Sequence, residues 1–164
     1  MRGFRRAVSV LLVLCGTLSL TSADAQPRRE PPYWASVSSG RAMMRVGPGQ
    51  NYRGIWLYVR PDLPVRVVDV YQNWRKVEDP DGTSGWMLVN LLSDTRTAIV
   101  RGDRPRPMHE EADERTRVRY RAEPGVVGRL SRCNGGWCRL DVRGRAGYIR
   151  IDYLWGLGRN ETIG

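Results

Sequence analysis

Side chains able to do covalent chemistry are few in this sequence. Cysteines stand at 15, 133 and 138, and His109 is the only histidine. Cys133 and Cys138 are four residues apart in the intervening count, so they do not form the Cys-x-x-Cys of a redox site, and no other ligands accompany them for a metal. Asn134-Gly135-Gly136 between them is turn chemistry, which would set the two cysteines opposite one another on a hairpin, at disulfide spacing. His109 lies in Pro107-Met108-His109-Glu110 with no free thiol to activate, and no Gly-x-Ser-x-Gly elbow is present to present a serine. Glu110 and Glu111 are a carboxylate pair of the type used for acid–base work, but with Asp113 and Glu114 they read as a solvated charge run. Gly47-Pro48-Gly49 lacks the Gly-Lys-Ser/Thr ending of a phosphate loop and reads as a turn. The expectation is therefore binding without catalysis, with no cofactor and no metal.

The segments that must carry these residues have a period of two. Ile55–Val59, Val65–Tyr71, Trp74–Glu78 and Gly85–Leu88 are rich in β-branched and aromatic residues, with a turn at Pro80-Asp81-Gly82. Arg117–Ala122, Val126–Cys133, Trp137–Val142 and Ala146–Arg150 repeat the pattern, with turns at Asn134–Gly136 and Arg143–Arg145. The halves also align in detail. Trp74-x-x-Val77, Gly85-Trp86 and Leu92 in the first recur as Trp137-x-x-Leu140, Gly147-Tyr148 and Leu154 in the second. Trp74 and Trp137 read as structural because they recur. Gly85 and Gly147 read as positions of close backbone approach, with the Trp86 and Tyr148 rings filling the interior.

These residues resemble the bacterial SH3-like domain. Met43-Met44-Arg45-Val46-Gly47-Pro48-Gly49-Gln50-Asn51-Tyr52 matches the family's aliphatic-Arg strand and Gly-Pro-Gly turn, with Met43 where asparagine is usual. The likeness spans about Ser36 to Leu92 in the first copy and Val126 to Leu154 in the second, where Pro105–Asp113 replaces the missing turn. It implies an all-β fold, two small SH3-like barrels in tandem. It also places a peptide or wall-fragment groove beside the loop after the first strand, which holds Asn51 and Tyr52. Trp56 and Tyr58 are further candidates, because alternation forces them onto the face opposite Ile55, Leu57 and Val59. Modules this small have thin cores and gain from a staple or a neighbour. The disulfide would be the staple. Arg96–Arg101 reads as a short link holding the modules together.

Arg2, Arg5 and Arg6, an apolar run over Ala7–Leu20 and Ala23-Asp24-Ala25 have the order of a cleaved export signal. The run is shorter than the ~20 residues of a spanning helix. Cys15 is preceded by Leu14, where a lipid-bearing cysteine needs a small residue. Residues 1–25 are thus expected as signal peptide, 26–34 as a flexible leader, 35–95 and 96–156 as the two modules, and 157–164 as a tail. Location would be periplasmic or secreted, where a disulfide persists. The sequence carries a net charge of +10, which becomes +8 without residues 1–25. Lys76 is the only lysine, so the basicity is almost wholly arginine. The expected partner is peptidoglycan or an envelope protein, with no specific nucleic acid. Electrostatic capture of acidic polymers and a small wall hydrolase are the alternatives.

Overall fold

A computed structural model describes residues 29–38 and 40–164, so the export signal and the start of the leader lie outside the described residues. The first module consists of β1 (Tyr33–Val37), β2 (Ala42–Arg45), β3 (Gly54–Tyr58), β4 (Pro64–Tyr71), β5 (Trp74–Glu78), β6 (Ser84–Leu88) and β7 (Leu92–Ser93). The second consists of β8 (Thr97–Val100), β9 (Arg106–His109), β10 (Val118–Ala122), β11 (Val127–Asn134), β12 (Trp137–Val142), β13 (Arg145–Arg150) and β14 (Leu154–Trp155). Strand order is β3-β2-β6-β5-β4-β1-β7 in one and β10-β9-β13-β12-β11-β8-β14 in the other, the same topology twice. Each sheet is antiparallel and curls over its own core, and the fold is two tandem SH3-like barrels.

Alternation along the strands selects the two cores. Val37, Met44, Val65, Val67, Val77 and Met87 are fully buried in the first. Val100, Met108, Leu140, Ile149 and the Cys133–Cys138 pair occupy the second. The expectation that Trp86 and Tyr148 fill the interior is corrected here. Both are only half-buried, and it is Met87 and Ile149, one residue on, that point inward. Gly85 does share the inner face, and a Cβ there would lie 2.5 Å from Met44 Cγ. Gly147 faces Met108 in the same way, at 3.0 Å. The glycines admit the methionines; the rings beside them lie outside.

Three further expectations change. β1 begins at Tyr33, inside the stretch read as a leader, because Tyr33 and Trp34 pair with Val67 and Arg66. Arg96–Arg101 is no linker: Thr97–Val100 forms β8, the counterpart of β1, leaving only residues 94–96 between β7 and β8. The 157–164 tail is held. Leu157 is buried, Ile163 exchanges both backbone hydrogen bonds with Cys133 (2.8 and 3.0 Å), and Arg96 pairs with Glu161.

The modules touch through Trp34 and Trp155, whose rings meet edge to face at 4.8 Å. Arg101 Nη1 donates to the Pro80 carbonyl (2.9 Å), Arg60 Nη1 to the Gly125 carbonyl (3.0 Å), and Arg129 pairs with Asp62 (3.2 Å).

Candidate functional site

Residues 46–53 join β2 to β3, and the sequence explains their shape. Gly47 and Gly49 are there for space, not for a left-handed backbone: neither has positive φ. A Cβ on Gly47 would run into the Tyr52 ring, and one on Gly49 would come within 3.1 Å of it. Tyr52 therefore lies flat over the turn with one face packed and 44% of its surface exposed. Two backbone bonds close the loop, Val46 N–H to the Arg53 carbonyl (3.1 Å) and Tyr52 N–H to the Gly49 carbonyl (3.2 Å). Arg45 Nη1 then donates to the Tyr52 carbonyl at 2.7 Å. Asn51 is exposed beside it and Pro48 is half-buried.

Trp56 and Tyr58 share a face of β3, with ring centroids 6.5 Å apart, but differ in exposure. Trp56 is 57% exposed. Tyr58 is buried, which removes it from the candidate surface. Its hydroxyl donates to Asp79 Oδ2 at 2.7 Å. Asp79 Oδ1 meanwhile accepts the amides of Asp81 (3.0 Å) and Thr83 (2.8 Å), so Tyr58 anchors the turn between β5 and β6. Burial, then the hydrogen bond and charge of Asp79 and the charge of Asp81, drive the phenol's pKa well above its ordinary value.

The family profile described as "Bacterial SH3 domain" matches residues 38–94 and 103–156. The chain belongs to the bacterial SH3 domain family. Comparison with curated proteins gives no match. Among solved structures the chain is similar to NlpC1 from Trichomonas vaginalis, at 16% identity and TM-score 0.33, covering 85% of this chain and 50% of that one. It is similar to NlpC2 from the same organism (14%, TM-score 0.33, 77% and 49%) and to an NlpC/P60 family protein from Bacillus cereus (12%, TM-score 0.34, 75% and 56%). The chain spans about half the length of these structures.

The second bacterial SH3 module keeps the loop and changes its content. Residues 110–117 join β9 to β10 and are also eight in number. Glu110 N–H bonds to the Arg117 carbonyl (2.9 Å) and Thr116 N–H to the Asp113 carbonyl (3.2 Å), matching those two bonds of the first module. His109 takes the place of Arg45. Its Nδ1 lies 3.0 Å from the Thr116 carbonyl, which only accepts, so Nδ1 carries the proton. The ring meets Trp137 edge to face at 5.5 Å. His109 is thus a loop clamp. Sequence reading missed the equivalence, though Met44-Arg45 and Met108-His109 each precede the next strand by the same interval. In place of glycines, Asp113 organises the turn with its carboxylate on the Arg115 amide (2.9 Å) and guanidinium. Those hydrogen bonds hold the Asp113 carboxyl down at about 2. Glu110 and Glu111 are exposed.

The remaining candidates are structural in placement. Arg45, Trp86 and Lys76 are cross-strand partners in a row on the outer face, and His109, Tyr148 and Arg139 repeat that row. Trp74 and Trp137 are each 8% exposed, and Arg150 lies over the Trp137 ring at 5.5 Å. Cys133 and Cys138 are bonded across a two-residue turn, Gly135-Gly136, with both φ values positive (58° and 80°). Among the described residues no three His, Cys, Asp or Glu side chains gather as a metal site, and no helix is long and apolar enough to cross a membrane.

Proposed function

We propose that the chain is a non-catalytic binding or scaffolding protein of the cell envelope, exported to the periplasm or beyond, that holds a cell-wall peptide or glycan, or an envelope protein, on its first module. One observation carries this reading. Among the described residues, four of the seven exposed large apolar side chains gather on the first module's β2–β3 hairpin and its exit, Val46, Tyr52, Trp56 and Val59; the others, Tyr71, Val89 and Val118, are scattered. The register places Glu110, Thr116, Tyr120 and Glu123 at the same positions of the second module, so three of the four become polar or charged and the remaining ring, Tyr120, is half-buried. Aromatic rings held on a rigid hairpin supply contact area at small entropic cost. Bacterial SH3 domains often bind cell wall, which supports that class of ligand. The positive charge adds attraction to anionic wall polymers, screened beyond a Debye length of ~8 Å at physiological salt.

Co-sedimentation with purified peptidoglycan tests the reading. Losing an aromatic contact worth about 1.5–3 kcal/mol, Tyr52→Ala should weaken binding roughly ten- to a hundredfold at both low and high salt, in a protein that remains folded. Neutralising exposed arginines should reduce only the low-salt component. Unchanged affinity in folded Tyr52→Ala, or equal binding by the second module alone, would overturn the site.

A further inference from the structure

A second surface, which includes no residue of the β2–β3 loop of the first module, is formed at the module junction. One wall is Arg60–Asp62 of the first module; the other is the start of β11 and the β12–β13 turn of the second. The groove continues past Val126, Val142 and Arg145 into a depression of about 390 Å³ lined by Met108, Tyr120 and Ala122 as well as Val126 and Val142. Its chemistry is of two kinds. The far end is apolar, and the rim is arginine: Arg60, Arg121, Arg129, Arg143 and Arg145. Arg60 is aimed by its bond to the Gly125 carbonyl, and Arg129 is taken by Asp62. Asp141 is occupied by the Gly144 amide at 2.7 Å, and Glu123 stands exposed at the apolar end. Among the described residues the side chains of Arg121, Arg143 and Arg145 make no hydrogen bond or ion pair and remain available.

Arg143 carries a strained backbone. It is the first residue of a two-residue turn between Val142 and Arg145, and its φ is +52°, followed by Gly144 at +83°. Such turns favour asparagine, aspartate or glycine at that position, because other side chains crowd the left-handed backbone. The other two-residue hairpin turn in this module uses Gly135-Gly136. Arginine takes this conformation at a turn whose side chain lies along the groove, as Gln72 does at +49° in the two-residue turn between Tyr71 and Trp74 of the first module, so the strain by itself does not mark the groove.

We propose that this groove binds an extended acidic peptide segment of a partner protein, seating one apolar side chain in the Met108–Val142 depression and laying carboxylates along Arg60, Arg143 and Arg145. An extended chain advances ~3.3 Å per residue with alternating side chains, which suits an apolar contact flanked by charges. Guanidinium groups pair with carboxylates through two parallel hydrogen bonds. An anionic polysaccharide would leave the apolar end unfilled. Single-stranded nucleic acid calls for exposed stacking rings, and the groove's one ring, Tyr120, is half-buried.

Fluorescence anisotropy on the full chain without residues 1–25, at physiological salt, tests this. The probe is a labelled ten-residue peptide of glutamate and serine with one central leucine. Controls are the same peptide with serine for leucine and a thymidine oligonucleotide of equal charge. The leucine peptide should bind about tenfold more tightly than either control. Arg143→Gly should weaken it roughly tenfold, the loss of one charge-assisted contact. Its melting temperature should hold or rise, because glycine accepts the backbone that arginine strains. Tyr52→Ala should leave this binding intact, which separates the groove from the first-module site. The proposal is overturned if the probe does not bind, if either control binds as well, if Arg143→Gly leaves affinity within twofold, or if Tyr52→Ala abolishes it.

Discussion

Replacing Tyr58 with phenylalanine removes a single buried hydrogen bond while keeping the ring. What is lost is the 2.7 Å bond from the phenol to Asp79 Oδ2. Tyr58 and Asp79 are 6% and 7% exposed, so water is poorly placed to replace the donor. A bond to a charged acceptor contributes about 1.5–3 kcal/mol, and an unsatisfied buried acceptor costs a comparable amount. Asp79 Oδ1 retains the Asp81 and Thr83 amides, which keeps the carboxylate partly satisfied and points to a loss of about 2 kcal/mol. With a urea m-value of about 2 kcal/mol/M for a small domain, the unfolding midpoint should fall by about 1 M. Urea titration followed by tryptophan fluorescence reads this directly. A double-mutant cycle with Asp79→Asn should give a coupling of about 1 kcal/mol or more. Because Arg101 of the second module bonds to Pro80 in the same turn, the loss should be felt at the junction too. A midpoint shift under about 0.2 M, or no coupling, would refute the role given to Tyr58. Peptidoglycan binding by this variant should be unchanged, the reverse of Tyr52→Ala.

Alkylation of the unreduced native protein should label neither Cys133 nor Cys138, and labelling after reduction should add two groups. Replacing both by serine should cost about 2 kcal/mol, the loop-closure value for so short a ring, read from the urea midpoint. The tail contact is sensitive to acid. Partial burial raises the Glu161 pKa, but the Arg96 and Gly158 hydrogen bonds and the charges of Arg96 and Arg29 outweigh it and lower the value overall. A depressed folded pKa means that the tail is stabilised fully above the ordinary glutamate value of ~4.3 and released as pH falls through the lowered one. Exchange of the Ile163 amide, corrected for its intrinsic rate, should therefore accelerate below about pH 4, and Glu161→Gln should erase that step. Protection that persists unchanged into strong acid would show that the ion pair does not hold the tail.

The architecture was legible where residue identity and geometry coincide. Gly85 and Gly147 had to be glycine to let Met44 and Met108 approach, and Gly135-Gly136 could form only a tight turn, so these positions announce the fold. Period two identified which face Trp56 and Tyr58 share. It could not reveal that the Asp79 turn, over twenty residues away in sequence, covers one ring and leaves the other bare. The same limit applies to Trp86 and Tyr148: alternation says that they face opposite to Met87 and Ile149, but large rings invite the wrong choice of inside. β8 was hidden because Thr97-Ala98-Ile99-Val100 is short and has its partners in β11 and β14, far along the chain. The loop at 110–117 was hidden by composition, since four acidic residues look nothing like Val-Gly-Pro-Gly-Gln. The arginine groove has no sequence signature at all, because it exists only once two modules are set side by side.

The paired loops also bear on how such chains diversify. Both copies hold the segment to eight residues and tether it by the same two backbone bonds and one clamp, arginine in one and histidine in the other. Between the tethers nothing else is shared: one version is glycine-rich and aromatic, the other acidic. A duplicated module of this design inherits a frame of fixed length whose contents are free to change, because the tethers draw on carbonyls that every residue possesses. New surfaces then arise by exchanging residues within the frame, without insertions that would disturb the barrel beneath.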